Sequence, residues 1–414
     1  MKNNIDIKKI VIIIIIIGFL IGSYFLISNL FGNRNSSSVN ELSTFLPFEE
    51  ETTGTDNKEN PITINNPYGI STPTKGNIPL LRKISNIPVA GGYIFQPEAD
   101  QQKDVENYSL IRFIERGTGH IYETSTNSLT QVRVSNTTIP KIQETVWLDK
   151  DSLIIRYLDD NDIIKTFSAN LITNDLGDQE LEGFFLQNDI REIIKFGKKI
   201  FYLLDSGKGT IGVISDKNDE NKKIIFENPL KEWLLKNIND KHISLTTKPA
   251  INIDGFLFLF NTETQILDKV IGGKPNLSTL MNKSFDTLYS EYGKLGPKLS
   301  IYNNQEGVST DIFIKTFPEK CVWDKNEPII YCGVPTEELT NYDLTKWYQG
   351  TTSFTDSIWK INIETGKTEF LISPSDFDVE DIDIINPILS EKGDYLLFMN
   401  KKDFNLWLLK LSKY

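Results

Sequence analysis

Short apolar runs separated by polar turns recur from residue 79 to the end of the chain, and this rhythm limits the fold more than any other feature. Each run is a few residues of Ile, Leu, Val, Phe or Tyr, and each gap holds Asp, Asn, Lys, Ser or Gly. Runs this short, bounded by turn residues, specify strands. Strands following one another closely specify an all-β sandwich, barrel or propeller. Residues 387–411 show the unit most clearly. Residues 390–394 (SEKGD) make a polar turn, 395–400 (YLLFMN) a strand, 401–404 (KKDF) a second turn and 405–411 (NLWLLKL) another strand.

Self-similarity at a fixed period chooses among the three architectures. Residues 145–157 (TVWLDKDSLIIRY) and 320–332 (KCVWDKNEPIIYC) repeat the order of apolar run, polar turn and apolar run. Residues 199–214 and 254–264 follow it too, and 357–372 make a hairpin that turns at 364–367. The units number seven, near 108–139, 140–182, 183–230, 231–275, 276–318, 319–375 and 380–414, with six or eight as the neighbouring counts. Spread over residues 79–414 they average about 48 residues, close to the ~40–50 of a propeller blade. A lone four-stranded blade cannot bury both faces; stacking blades around an axis does. The fold class expected is therefore an all-β, seven-bladed β-propeller. The last unit stops one strand short. The orphan segment at 79–86 matches the outer strand of the first unit, and both run into Ser-Asn and then Ile-Pro. Residues 79–86 are expected to complete the final blade as a clasp.

The segment PILSEKGDYLLF at 387–398 resembles the blade motif of TolB-like and WD-like propellers, Pro-x-x-Ser-Pro-Asp-Gly followed by an apolar strand. Glu391 and Lys392 stand where that pattern has Pro-Asp. Together with an N-terminal anchor, the chain is similar to uncharacterised bacterial membrane-anchored propeller proteins. The resemblance speaks to fold, because propellers host many functions.

Ahead of the repeats, residues 10–30 carry no charge. About 20 apolar residues span the hydrocarbon core as a helix. Lys2, Lys8 and Lys9 precede the stretch, which orients the N-terminus to the cytoplasm and the bulk outside. A cleaved signal peptide is the rival, but the apolar run is long and no fitting cleavage site follows. Residues 31–78, rich in Ser, Thr, Asn and Glu, read as a flexible linker. The expected organisation is a cytoplasmic N-terminus at 1–9, a transmembrane helix at 10–30, the linker at 31–78 and the propeller at 79–414. The localisation is then a single-pass cell-membrane protein with an extracytoplasmic domain.

A net charge of -12 repels phosphate backbones, so nucleic acid is not an expected partner. The chain has two histidines, His120 and His242, and contains neither a G-x-S-x-G elbow nor an H-E-x-x-H pair. No cofactor is implied. These absences, with the anchor and the ring, lead to the expectation of a non-enzymatic module binding a protein or glycan partner in the cell envelope. The alternative is a propeller hydrolase or lyase acting on envelope polymers, which requires carboxylates or His120 gathered around the central channel.

Four groups of residues stand out. Residues 335–348 read as a short helix interrupting the sixth unit, capped by Thr336, and offer Trp347, Tyr348 and nearby Phe354 as candidate binding aromatics, with packing onto the blade as the alternative. A second short helix is expected at 229–237. Cys321 and Cys332 flank one hairpin symmetrically and are a candidate disulfide, the alternative being two buried thiols; with no His nearby they make no metal site. Asp376, Asp378, Asp381 and Asp383 alternate in an acidic run that reads as a solvated connector or a calcium site.

Overall fold

The structure is a computed structural model that describes residues 78–97, 108–174, 179–293, 296–340, 343–377 and 381–411. The expected membrane helix at 10–30 and the linker up to residue 77 lie outside the described residues. Among the described residues no helix is long and apolar enough to cross a membrane.

The repeat builds seven four-stranded antiparallel sheets. The clasp strand β1 (Leu81–Lys83) comes first. Blade one is β2 (Val89–Phe95), β3 (Leu110–Glu115), β4 (Ile121–Ser125) and β5 (Val132–Ser135). Blade two is β6 (Ile142–Trp147), β7 (Ser152–Leu158), β8 (Ile164–Thr173) and β9 (Gln179–Phe185). Blade three is β10 (Ile190–Phe196), β11 (Lys199–Asp205), β12 (Thr210–Asp216) and β13 (Lys223–Asn228). Blade four is β14 (Trp233–Asn237), β15 (His242–Thr247), β16 (Asp254–Asn261) and β17 (Leu267–Pro275). Blade five is β18 (Ser278–Met281), β19 (Thr287–Gly293), β20 (Gly296–Asn303) and β21 (Val308–Ile312). Blade six is β22 (Cys321–Trp323), β23 (Ile329–Pro335), β24 (Asp356–Asn362) and β25 (Thr368–Ile372). Blade seven has β26 (Ile384–Leu389), β27 (Tyr395–Asn400) and β28 (Leu406–Lys410) from the C-terminal end, and β1 completes it.

Ring closure follows the clasp reading. β1 pairs antiparallel with β28, Leu81 opposite Leu409 and Lys83 opposite Trp407. The amide of Lys410 donates to the carbonyl of Leu80 at 2.8 Å, and that of Val89 donates to Phe404 at 2.9 Å. The Arg82 guanidinium then reaches into blade one, donating to the carbonyls of Ser128 at 2.5 Å and Ser125 at 2.7 Å. Each of the seven junctions between neighbouring blades holds its own apolar cluster among the described residues. At the closing junctions, Leu81 packs with Ile358, Ile384 and Phe398, and Ile84 packs with Val89, Ile111 and Leu406. Packing of this kind is what blades gain by stacking radially.

Several boundaries differ from the sequence reading. The first unit begins at Val89, not near 108, because β2 is its innermost strand. Its Gly-Gly pair masked a strand that needs small residues. A Cβ at Gly91 would lie 2.3 Å from Thr145 Oγ1 of β6, so two innermost strands approach there as only glycine permits. The boundary expected at 182–183 falls inside β9. Residues 229–237 do not form a helix: Trp233 and Leu235 alternate into the core and pair with Thr247 and Leu245 of β15. Two-residue alternation overrides the helical propensity of Leu and Lys here. The inserted helix of blade six is shorter than expected, α1 (Asp343–Tyr348).

Candidate functional site

Every blade begins with its innermost strand, so all seven of these strands start at the same end of the channel. Antiparallel strands alternate in direction, so the link between the second and third strands of each blade returns to that same face. We call this face the mouth.

Blades one, two and three open at the mouth with the same local irregularity. The innermost strand slips register against its neighbour between Val89 and Gly91, between Ile142 and Glu144, and between Ile190 and Glu192. Such bulges turn a side chain out of the regular alternation, and they recur beside functional sites. The third residue is Gly91 in blade one, Glu144 in blade two and Glu192 in blade three, so two carboxylates stand on adjacent innermost strands at equivalent positions.

Their environments differ. Glu144 is about half exposed, and its Oε2 accepts from Arg156 Nη1 at 2.8 Å. Arg156 is buried and donates from Nη2 to the carbonyl of Ile190 at 3.0 Å, tying blade two to the start of β10. Glu192 is only partly exposed. Burial pushes its carboxyl up to about 7, the negative charge of Glu144 adds to the rise, and Arg156, Lys248 and Lys236 offset part of it. A carboxyl raised by burial thus stands beside a neighbour held in an ion pair.

The inserted α1 lies between β23 and β24, a second-to-third link, and so sits on the mouth. Leu344 and Trp347 bury themselves against Tyr292, Phe317 and Phe354. The Tyr348 hydroxyl donates to Glu319 Oε1, and Ser278 Oγ donates to Glu319 Oε2. Burial holds the Tyr348 hydroxyl well above its ordinary pKa, with Glu319 and then Glu192 adding to the shift. Glu192 belongs to blade three and Tyr348 to blade six, on nearly opposite sides of the ring.

Behind α1 lies a buried ion cluster. Lys320, Asp356 and Asp383 are each 0% exposed. Lys320 Nζ donates to Asp356 Oδ2 at 2.5 Å and to Asp383 Oδ1. Asp383 also accepts from Trp347 Nε1 at 3.0 Å and from the Phe354 amide at 3.0 Å. Asp356 accepts from the Ile384 amide at 2.7 Å. Burial pushes the Asp356 carboxyl up to about 6, Lys320 opposes the shift and Asp383 adds to it. The ammonium lies over both aromatic rings, 5.3 Å from Trp347 and 5.4 Å from Phe354. A cluster so enclosed cannot meet a substrate; it locks blade six, blade seven and α1 together.

The structure thus spreads the sequence candidates over distinct settings. Trp347 and Phe354 are buried and pack on the Lys320 cluster, while Tyr348 is partly buried and bonds to Glu319. Cys321 and Cys332 lie directly opposite each other on β22 and β23 and are bridged. The acidic run does not converge: Asp383 is buried, Asp381 is exposed 3.5 Å from Lys402, Asp376 accepts from the amide of Ser373 in a short turn, and Asp378 lies outside the described residues. His120 stands between β3 and β4, held below its ordinary pKa by burial first and then by Arg133, with Nε2 3.5 Å from Thr138 Oγ1. Sequence reasoning passed over Glu144, Glu192, Glu319, Lys320 and Asp356. The repeated Ile-x-Glu at 142–144 and 190–192 was the available signal for the first two.

No family model matches the chain, and no curated protein matches it in sequence. Solved structures do match in fold. An oligogalacturonate lyase from Vibrio parahaemolyticus aligns at 10% identity with a TM-score of 0.51, over 80% of this chain and 94% of the lyase. An oligogalacturonate lyase in complex with manganese aligns at 10% identity and a TM-score of 0.48, over 79% and 97%. TolB from Acinetobacter baumannii aligns at 11% identity and a TM-score of 0.40, over 75% and 78%. At such identity the likeness is one of fold. It corrects the expectation that the chain is not an enzyme to this extent: a ring of this fold occurs in a lyase, so missing local motifs exclude no activity. That expectation rested on missing local motifs, and nearly the whole of a propeller lyase shares this ring. Propeller sites assemble from several blades, so a motif scan along the chain is blind to them.

Proposed function

We propose that this chain hydrolyses a neutral glycan of the cell envelope at the mouth of its propeller channel, tethered outside the membrane by the apolar stretch at residues 10–30. The observation that carries the reading is the pair Glu144 and Glu192, two carboxyls on adjacent innermost strands, one paired with Arg156 and the other raised by burial. Glycoside hydrolysis needs one protonated and one ionised carboxyl flanking the bond. Glu192 is the proton donor to the leaving oxygen. Glu144, paired with Arg156, activates water or attacks. Arg156 is a positioning residue that holds the two strands in step. A lyase would have to seat a uronate carboxylate, which Glu144, Glu192 and Glu319 at this mouth oppose, so a neutral polymer fits better. The Cys321–Cys332 bridge accords with an oxidising compartment.

The test incubates the full-length protein in detergent with purified envelope polysaccharide and peptidoglycan. New reducing ends report hydrolysis, and ultraviolet absorbance of unsaturated products reports elimination. Glu192→Gln should lower hydrolysis about 10²–10⁴-fold, the range for a lost general acid. Hydrolysis unaffected by that change would overturn the assignment. Retention of polymer without any cleavage would replace hydrolysis by a binding role.

A further inference from the structure

The outer strand of blade five is unlike the other outer strands of the ring. Val308, Ser309, Thr310 and Asp311 of β21 are exposed in succession, and no other outer strand has more than two exposed residues in a row. β21 ends its sheet, so its far edge presents the backbone groups that β20 does not take. Proteins blunt such edges with bulges that twist them away. The outer pairs of blades one, three, four and six each carry a register shift. β21 instead runs in register with β20 from Val308 to Ile312. Two large apolar groups stand at the open edge, Val308 at 54% and Phe313 at 96% exposure.

We propose that β21 pairs antiparallel with β21 of a second copy of this chain, joining two fifth blades across one seam. The strand is complementary to itself. With Thr310 on the two-fold axis, Val308 of each copy stands opposite Ile312 of the other, on the side where Ile312 packs with Ile361 and Trp359 of blade six. Such β-branched cross-strand pairs stabilise a sheet. Ser309 stands opposite Asp311 and donates its hydroxyl to the carboxylate. Asp311 already accepts from Lys298 at 2.9 Å, so no bare charge enters the seam. Phe313 stands opposite Gly307, where an added Cβ would meet nothing within 4 Å, so its ring has room. Charge fixes the direction. Glu306 precedes the strand, Lys315 follows it, and both are exposed. Antiparallel pairing brings Lys315 of each copy beside Glu306 of the other, whereas parallel pairing would set like charges together. An unrelated strand would also find the edge open; the matched register and charges favour a second copy. The seam is short, so the dimer belongs among the weak contacts below ~1,200 Å².

The test is sedimentation velocity of the full-length protein in detergent over a range of concentrations, where a dimer should form as concentration rises. Glu306→Lys and Lys315→Glu should each raise the dissociation constant about tenfold, because two exposed attractions become repulsions. Mixing the two variants in equal amounts should restore the parent affinity, since each then meets the opposite charge. Self-pairing of β21 predicts that recovery; association through any other part of the chain does not. Val308→Lys puts a charge into the seam and should abolish the dimer with thermal unfolding unmoved. Should that variant fail to fold, the two exposed charge reversals decide the matter. A monomer at every concentration would overturn the proposal and leave the edge to a foreign strand. A dimer indifferent to all three substitutions would overturn it equally.

Discussion

Replacing Lys320 by Met should cost about 3–5 kcal/mol of stability, the usual penalty for breaking a buried ion pair from one side. The structure says why the loss belongs in that range. The ammonium is 0% exposed and is shared by Asp356 and Asp383, both also 0% exposed. Asp383 keeps the Trp347 and Phe354 donors after the change. Asp356 keeps only the Ile384 amide, and its Oδ1 already lacks a partner. Asp356 is thus the group left most exposed to the penalty, and it takes up a proton first. The sign follows from its raised pKa. A carboxyl whose folded pKa lies above its unfolded value binds the extra proton in the folded state, so stability falls as pH rises from the unfolded to the folded value. In the parent this window runs from the ordinary ~3.9 to about 6. Without the ammonium it extends upward, so the deficit of Lys320→Met should be larger at pH 8 than at pH 5. Adding Asp356→Asn should recover much of it. Urea unfolding followed by tryptophan fluorescence at both pH values measures the effect against a total of ~5–15 kcal/mol. A loss below about 1 kcal/mol at pH 8, or one indifferent to pH, would refute the view that Lys320 neutralises this cluster.

The remaining predictions concern the ring and its mouth. Deleting residues 79–86 removes the outer strand of blade seven together with Leu81 and Ile84, which fill two inter-blade clusters; Leu81→Ala alone should cost about 2–5 kcal/mol, and thermal unfolding unchanged by the deletion would refute closure by β1. Cys321→Ser with Cys332→Ser opens a bridge of sequence separation 11, worth about 3 kcal/mol on chain entropy, so reductant should lower the melting temperature of the parent and leave the double variant unmoved. Glu192→Gln should raise stability at pH 8 and leave it nearly unchanged at pH 4, because the parent loses stability as pH climbs from the ordinary carboxyl range to about 7; equal melting shifts at both pH values would contradict a desolvated Glu192.

Blade count, the clasp and the hairpin holding both cysteines were readable along the chain because each is a matter of local order. Apolar alternation with turn residues at a fixed period needs no distant partner to be recognised. The symmetry of Cys321 and Cys332 about their turn places them opposite each other in any hairpin of that register. Even the strand at 79–86 announced itself by likeness to the outer strand of the first unit. Where the local signal was weak the reading slipped, as at β2, whose glycines hide a strand made to fit beside β6, and at residues 229–237, where Leu and Lys suggested a helix and alternation prevailed.

The chemistry of the mouth was settled at longer range. Nothing near Glu192 in the chain hints that its carboxyl titrates near 7; that follows from enclosure among blades and from Glu144 on the next innermost strand. Lys320 reads as one more lysine until the packing of blade seven on blade six brings Asp383 against it, with Asp356 from the far side of the insertion. Trp347 and Phe354, singled out as binding aromatics, were drawn inward by the same cluster. Burial and charge pairing depend on which strands become neighbours, and in this ring that is decided when one blade stacks on the next.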